Sequence, residues 1–182
     1  MIRPFPARDE LARTLVPEPP PLGSAELEAA VLVCLHEESV LLIRRQQREG
    51  DRWSGHVGLP GGRYEDADAT LLDTALRETE EELGFSPVAH GRVLGSAGVL
   101  DARHLNVRVA IFVADLSARP TLALSTEVSS AHWIELAMLV PDTAHVAEVV
   151  EPVPCYRIST DETEMVVWGI TYRILERLRS AG

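Results

Sequence analysis

The fold is decided by the stretch Arg77-Glu78-Thr79-Glu80-Glu81-Glu82-Leu83-Gly84-Phe85, which predicts the end of a strongly acidic helix. Apolar residues recur at helical spacing through this stretch and before it, so we predict one helix over 70–83. A glycine at position 84 suits a helix end, and a proline at position 87 stands just beyond it. The apolar stripe of the helix comprises Leu72, Ala75, Leu76, Thr79 and Leu83.

The glutamates of this helix are spaced so that most of them share one face. Residues three and four apart lie on the same side of a helix, so Glu78, Glu81 and Glu82 project together while Glu80 points elsewhere. Three ionised carboxylates repel one another unless a cation compensates. Arg77 can pair with Glu81 one turn on, but it cannot neutralise the whole set. Carboxylate oxygens suit Mg²⁺ or Mn²⁺; the alternative is a solvated acidic surface.

The segment ahead of the helix favours the metal interpretation. Leu59-Pro60-Gly61-Gly62 combines a fixed backbone angle with two residues that adopt conformations closed to others. Such a loop can bring backbone carbonyls and amides close to a metal and a phosphate. The combination of loop and helix therefore carries more information than either half alone.

Together these two segments resemble the Nudix box, which is a glycine, five residues, a glutamate, seven residues and then Arg-Glu-U-X-Glu-Glu-X-Gly-U with U aliphatic. The second half matches from Arg77, with Thr79 and Phe85 as loose matches to U. The first half is one residue longer than the standard box, and its glutamate position falls on Ala69, with Asp66 and Asp68 nearby. The longer box after Pro-Gly-Gly is similar to the coenzyme A diphosphatase branch.

The resemblance implies roles for particular residues. Glu78 and Glu82 are expected to bind catalytic Mg²⁺, with Glu81 as a further ligand and the Gly61 carbonyl as an additional oxygen. Arg77 is expected to orient the carboxylates by ion pairing. The resemblance also implies an α+β fold, the Nudix-type α/β/α sandwich with a mixed β-sheet.

A general base outside the box varies within this family, and our candidate is Glu127. Its spacing of six residues from Trp133 is similar to a downstream glutamate arrangement known in the family. The alternative is an exposed loop glutamate, and the sequence leaves both open.

Substrate recognition is predicted from a second, looser resemblance. The stretch 41–62 is similar to the coenzyme A signature Leu-Leu-Thr-X-Arg-Ser…Arg…Gly…Phe-Pro-Gly-Gly, and the stretch 168–171 resembles the end of that branch. Arginines can hold phosphates through paired hydrogen bonds, although a solubilising hairpin end is an equal alternative. The predicted substrate-binding residues are Arg44, Arg45, Arg48, Arg52, His56 and Gly62.

The expected reaction is hydrolysis of coenzyme A or an acyl thioester of it to 3′,5′-ADP and a 4′-phosphopantetheine product. ADP-ribose, a nucleotide sugar or a dinucleotide polyphosphate are alternative substrates. A non-catalytic nucleotide sensor is an alternative of another class, and the three glutamates argue against it.

Composition bounds the remaining possibilities. The chain has 182 residues and a net charge of −11, the opposite of the balance expected for nucleic-acid binding. It has no apolar run near the ~20 residues of a membrane span and no signal-peptide pattern, so we expect a cytoplasmic protein. Cys34 and Cys155 lie far apart and are expected to be buried, reduced thiols.

We expect residues 1–23 to form an N-terminal arm with a proline-rich spacer, and residues 24–182 to form one domain. A homodimer is plausible by resemblance to relatives. The predicted strands and helices outside the box are a helix at 7–15, strands at 29–35, 40–45, 92–100, 107–114 and 165–168, weaker strands at 121–124 and 131–134, a short helix at 135–140 and a closing helix at 170–179. Pro141, Pro152 and Pro154 are expected to interrupt regular structure after the short helix at 135–140 and before the strand at 165–168.

Overall fold

A computed structural model describes residues 3–17, 28–50, 54–102, 107–147, 149–160 and 164–181. The helices are α1 (Arg8–Thr14), α2 (Leu71–Leu83), α3 (Pro87–His90) and α4 (Gly169–Arg179), and Leu136–Met138 forms a 3₁₀ turn. The strands are β1 (Glu28–His36), β2 (Ser39–Arg45), β3 (Val57–Gly58), β4 (Gly61–Arg63), β5 (Gly91–Ala102), β6 (Val107–Leu116), β7 (Val128–Glu135), β8 (Pro141–Val146), β9 (Val149–Ser159) and β10 (Glu164–Trp168).

The main sheet is mixed and has seven strands. Its order is β3-β2-β1-β6-β5, with β4 pairing to β1 and β7 to β2. β1 and β6 run parallel at its centre, and the other pairs are antiparallel. A second sheet, β10-β9-β8, is antiparallel. The predicted α+β class with a mixed sheet is confirmed.

The central strands are buried on both faces, which creates two separate layers of core. Successive side chains of a strand point to opposite faces. Leu32 of β1 and Phe112 of β6 therefore pack in the cluster under α2, while Val33 and Ile111 pack in the cluster under α4. The sheet is thus sandwiched between α2 on one side and α1, α4 and the small sheet on the other.

The N-terminal arm is tied to the domain at several points. Leu11 of α1 is buried in the α4-side cluster, and Val16 pairs with Ser96 of β5 in an isolated bridge. Arg179 near the end of α4 packs its guanidinium 4.5 Å from the Phe5 ring centroid. The arm is therefore an integral wall of the α4-side layer, whereas most of the predicted proline-rich spacer lies outside the described residues.

A predicted strand and a predicted interruption by prolines were both wrong, for different physical reasons. Residues 121–124 do not form a strand, because their backbone satisfies the end of α2: the Ala123 N–H donates to the Leu83 carbonyl at 2.8 Å. Prolines 152 and 154 do not interrupt β9. β10 pairs with β9 only from Cys155 onward, so the first half of β9 has one neighbour, and an edge strand tolerates a residue that lacks an N–H.

Both cysteines are buried and unpaired, as expected. Among the described residues, no helix is long and apolar enough to span a bilayer.

Gly61 is the backbone position on which the approach of β4 to β1 depends. A Cβ there would lie 2.2 Å from the Ala30 carbonyl oxygen, and the φ of Gly61 is +146°. We predict that Gly61→Ala lowers the free energy of unfolding by about 3 kcal/mol or more. The added Cβ would force the β1 backbone to move, and alanine is also strained at this φ. Chemical denaturation measures this directly.

Gly50 provides the matched control, because its φ is +82° but an added Cβ would meet nothing within 4 Å. Gly50→Ala should cost only the conformational strain, about 1 kcal/mol. Equal losses in the two variants would contradict the close approach of β4 to β1.

Candidate functional site: a glutamate pair beside a glycine strand

The end of α2 places Glu82 in the interior of the molecule. α2 begins where Thr70 accepts a hydrogen bond from the Asp73 N–H, and it ends at Gly84, which has a φ of +72°. Leu71, Ala75 and Leu83 of α2 are at most 5% exposed against the sheet. The same face carries Glu82, whose exposure is 4%. The helix thus buries a carboxylate together with its apolar stripe.

Gly61 supplies the polar contact that Glu82 needs. Its N–H donates to Glu82 Oε2 at 3.0 Å. Gly61 lies in β4 and pairs with β1, so the N–H that holds the carboxylate is part of the sheet backbone. Sheet and helix are therefore joined at this carboxylate.

Glu78 lies one turn before Glu82 and faces the same strand. A Cβ on Gly62 would come within 2.4 Å of Glu78 Oε1, so this carboxylate occupies the space that a side chain would fill. The two glycines of the predicted motif therefore have different structural roles. Gly61 lets the strand approach and donates a hydrogen bond, and Gly62 leaves room for Glu78.

The burial of the two glutamates makes their charged forms costly. Burial raises the pKa of Glu82 to about 7, with a smaller contribution from the Glu78 charge, while the Gly61 N–H and Arg45 act in the opposite direction. Burial also raises the pKa of Glu78, against the effect of Arg77. Burial thus favours the protonated form of both carboxylates when no cation compensates their charge.

Arg77 binds three carboxylates at the mouth of the pair. Its Nε and NH2 donate to the two oxygens of Asp68, both at 2.9 Å. Its NH1 donates to Glu78 at 3.1 Å and to Glu81 at 3.2 Å. Arg77 therefore fixes the direction of Glu78, which is the positioning role that the sequence predicted for it.

Asp68 is the residue whose role the sequence analysis missed. It is 7% exposed and also accepts hydrogen bonds from Thr74 Oγ1 at 2.8 Å and the Glu65 N–H at 3.1 Å. The Arg77 guanidinium holds the pKa of Asp68 well below its usual range. The signal was present: an acidic residue stands one position before Ala69, in a segment one residue longer than the standard box.

Glu81 and Glu80 lie outside the pair. The Glu81 side chain is 61% exposed and held by Arg77, and Glu80 is exposed. Within the described ranges, no three His, Cys, Asp or Glu side chains converge closely enough to hold a metal by themselves. Glu78 and Glu82 lie together beside the backbone of Gly61, and the metal-ligand roles of Glu78, Glu81, Glu82 and Gly61 stay predictions.

The pair opens into a cleft of about 690 Å³ between the two layers. Glu78, Glu82, Gly61, Gly62, Arg45, Arg63, His56 and Glu127 contribute its polar wall. Valines of β1, β3 and β6 with Ile174 of α4 contribute an apolar wall, and Gly169 and Thr171 from the start of α4 also line the cleft. The cleft therefore joins a carboxylate end to a more apolar wall.

The predicted arginines separate into two groups. Arg45 lines the cleft, whereas its neighbour on β2, Arg44, points the other way and donates to the Glu164 carbonyl at 2.6 Å. Arg48 pairs with Glu127 at 3.3 Å rather than lining the cleft. Arg52 lies outside the described residues.

Glu127 and His56 both border the cleft. The Glu127 side chain is 51% exposed, and its carboxylate pairs with Arg48. Its backbone carbonyl accepts a hydrogen bond from the Gln46 N–H, which anchors the residue beside β2. The His56 ring contacts the Trp168 ring edge-on, with centroids 5.1 Å apart. Trp168 is thus part of the cleft wall.

The site thus combines two carboxylates, a glycine strand and an orienting arginine at an open cleft. The family model of the NUDIX domain matches residues 26–153. The chain therefore belongs to the Nudix family.

Curated relatives agree with this assignment. The chain is 40% identical over 114 residues to the uncharacterized protein C14C4.10c of Schizosaccharomyces pombe, covering 57% of this chain and 34% of that protein. It is 38% identical over 89 residues to the uncharacterized Nudix hydrolase NudL of Yersinia enterocolitica, covering 47% and 45%. It is 30% identical over 164 residues to the mitochondrial Nudix hydrolase 15 of Arabidopsis thaliana, covering 84% and 57%. The matched regions thus span about a third to just over half of these relatives.

Solved structures show the same fold at low identity. The NUDIX domain of Shewanella oneidensis NrtR, complexed with ADP ribose, gives a TM-score of 0.57 at 20% identity and covers 87% of this chain and 89% of that one. DR0079 of Deinococcus radiodurans gives 0.55 at 15% identity and covers 87% and 86%. These likenesses concern the fold.

We predict that Asp68→Asn destabilises the protein by about 2 to 3 kcal/mol, because it removes the charged acceptor that Arg77 grips with two hydrogen bonds. The folded-state pKa of Asp68 is depressed, so its stabilisation is present above the ordinary value near 3.8 and is lost as pH falls below it. Unfolding curves at pH 7 and in acid should show the gap to wild type narrowing in acid.

Asp66→Asn is the matched control, since Asp66 is an exposed acid two positions away. It should leave the unfolding free energy near that of wild type. A loss in Asp66→Asn equal to that in Asp68→Asn would attribute the effect to general charge rather than to the ion pair.

Proposed function

We propose that this chain hydrolyses a nucleoside-diphosphate linkage with the help of Mg²⁺, with Mn²⁺ as a substitute. The observation that carries the proposal is the position of the buried Glu82 and the partly buried Glu78 against the backbone of Gly61 and Gly62 at the end of a substrate-sized cleft. Buried carboxylates without a cation cost stability, and a compact set of hard oxygens suits a divalent metal.

The donor set fits the metal that the family implies. Glu78 and Glu82 would hold it, with the Gly61 carbonyl as a further oxygen. When bound, such a cation neutralises charge on phosphate oxygens and lowers the pKa of the attacking water. Arg77 keeps Glu78 directed toward the strand, through its own anchor on Asp68.

Residues around the cleft would act on the substrate itself. Arg45, which lines the cleft close enough to influence the pKa of Glu82, is placed to meet phosphate oxygens. Glu127 borders the same space and is our candidate general base, with Arg48 restraining its carboxylate. Arg44 is directed away from the cleft and fits a structural role at β10 better than phosphate binding.

We further propose coenzyme A or an acyl thioester of it as the substrate. Support comes from the resemblance of residues 41–62 to the coenzyme A signature and from a cleft with an apolar wall beside its carboxylate end. The pantetheine arm of coenzyme A is a long, weakly polar chain that such a wall can accept.

A substrate panel with Mg²⁺ tests both parts of the proposal. Coenzyme A, acetyl-coenzyme A, ADP-ribose, a nucleotide sugar and a dinucleotide polyphosphate would be compared, with products identified by mass. We expect coenzyme A to release 3′,5′-ADP. A preference of orders of magnitude for ADP-ribose would refute the coenzyme A assignment, and cleavage of no substrate would favour a nucleotide-binding sensor.

Glu82→Gln tests the metal assignment in the same assay. We expect kcat to fall by roughly a hundredfold or more, because the charge that holds the cation is removed at a site where electrostatic stabilisation dominates. Glu80→Gln is the control: it removes a glutamate from the same helix but from its exposed side, and its kcat should match wild type. An unchanged rate in Glu82→Gln would exclude Glu82 as an essential ligand.

A further inference from the structure

The start of α4 forms a polar recess in the cleft wall that the reaction at the glutamates does not use. Gly169, Ile170 and Thr171 all line the cleft. The preceding residue, Trp168, caps the helix with no side-chain hydrogen bond, and no acidic residue stands in the first turn. The opening turn of α4 is therefore presented to the ligand space without an anionic side chain in front of it.

The backbone of this turn can donate hydrogen bonds to an anion. The first N–H groups of a helix have no partner inside the helix, and the helix dipole adds partial positive charge there. Gly169 has a φ of +64° and precedes helical residues, a sequence of conformations that turns successive N–H groups toward one concavity. An added Cβ at Gly169 would meet nothing within 4 Å, so the recess is open.

Thr171 is the independent observation that points to a ligand. The residue is 5% exposed, and within the described part of the chain its hydroxyl makes no hydrogen bond. Its Oγ1 faces β3, where it would lie 3.8 Å from a Cβ on Gly58. A hydroxyl that makes no bond within the protein is available to a ligand in the cleft, and a phosphate oxygen in the recess would accept its hydrogen bond.

The recess lies close to the carboxylate pair. Gly58 stands three residues before Gly61, whose N–H contacts Glu82, and three residues of extended chain span at most about 10 Å. An anion bound at Thr171 is thus within reach of the same small molecule whose diphosphate meets Glu78 and Glu82.

We propose that the start of α4, with the Thr171 hydroxyl, binds a phosphate monoester that the substrate carries in addition to the diphosphate that is cleaved. This inference rests on the proposed diphosphatase function, and it assigns specificity to a residue outside the acidic helix. Substrates that bear the monoester gain a charge-assisted hydrogen bond at Thr171, and otherwise identical substrates without it do not.

Coenzyme A and dephospho-coenzyme A form the matched substrate pair, because they differ only in the ribose phosphate monoester. The measured quantity is the ratio of their kcat/KM values in wild type, Thr171→Val and Thr171→Ser. We expect wild type to favour coenzyme A, Thr171→Val to lower the ratio roughly tenfold, and Thr171→Ser to keep it near wild type. A ratio unchanged in Thr171→Val would overturn the proposal.

A binding measurement separates this proposal from the catalytic one. Calorimetry without a divalent cation would compare adenosine 3′,5′-bisphosphate with AMP on the same three proteins. A preference for the bisphosphate that Thr171→Val loses and Thr171→Ser keeps supports the subsite even if no diphosphate is cleaved. Equal affinities for the two nucleotides in wild type would overturn the subsite even if coenzyme A is hydrolysed.

Discussion

The hydrogen bond from the Gly61 N–H to the buried carboxylate of Glu82 is the interaction on which the rest of the site depends. It requires a strand close enough to β1 that position 61 has no room for a side chain. It also requires α2 to turn one carboxylate inward with its apolar stripe. Both conditions are set by the core on the α2 face of the sheet, so the packing of the fold determines the geometry of the glutamates.

Arg77 and Asp68 stabilise this arrangement from the solvent side. A guanidinium that binds one carboxylate through two hydrogen bonds has little freedom to rotate, and it therefore holds Glu78 in a defined direction. Because Asp68 is almost fully buried, the pair is screened little by solvent. The protein thus uses one ion pair to position another carboxylate beside a site where negative charge would otherwise be unfavourable.

The sequence predicted the helix, its glycine end and the mixed-sheet class correctly, because these follow from periodicity and from a motif of fixed spacing. It did not separate the glutamates fully: Glu81 shares a helical face with Glu78, yet it lies at the solvent edge with Arg77. The sequence also could not show which of two adjacent arginine side chains on β2 faces the cleft. Side chains alternate along the strand, so Arg45 points into the cleft and Arg44 points away from it. These outcomes depend on which face of each element the core covers.

A comparison of thermal stability across pH tests most directly whether Glu78 and Glu82 form a cation site. The folded-state pKa of Glu82 is raised from near 4.5 to about 7, so its protonated form stabilises the fold at low pH and that contribution, roughly 3 kcal/mol, is lost as pH rises through 7. With EDTA, Glu82→Gln should therefore gain stability relative to wild type between pH 5 and pH 8. Added Mg²⁺ should raise the Tm of wild type at pH 8, with much less effect at pH 5 or in Glu82→Gln. A Tm that does not respond to Mg²⁺ at pH 8, or that responds equally in the variant, would contradict the account.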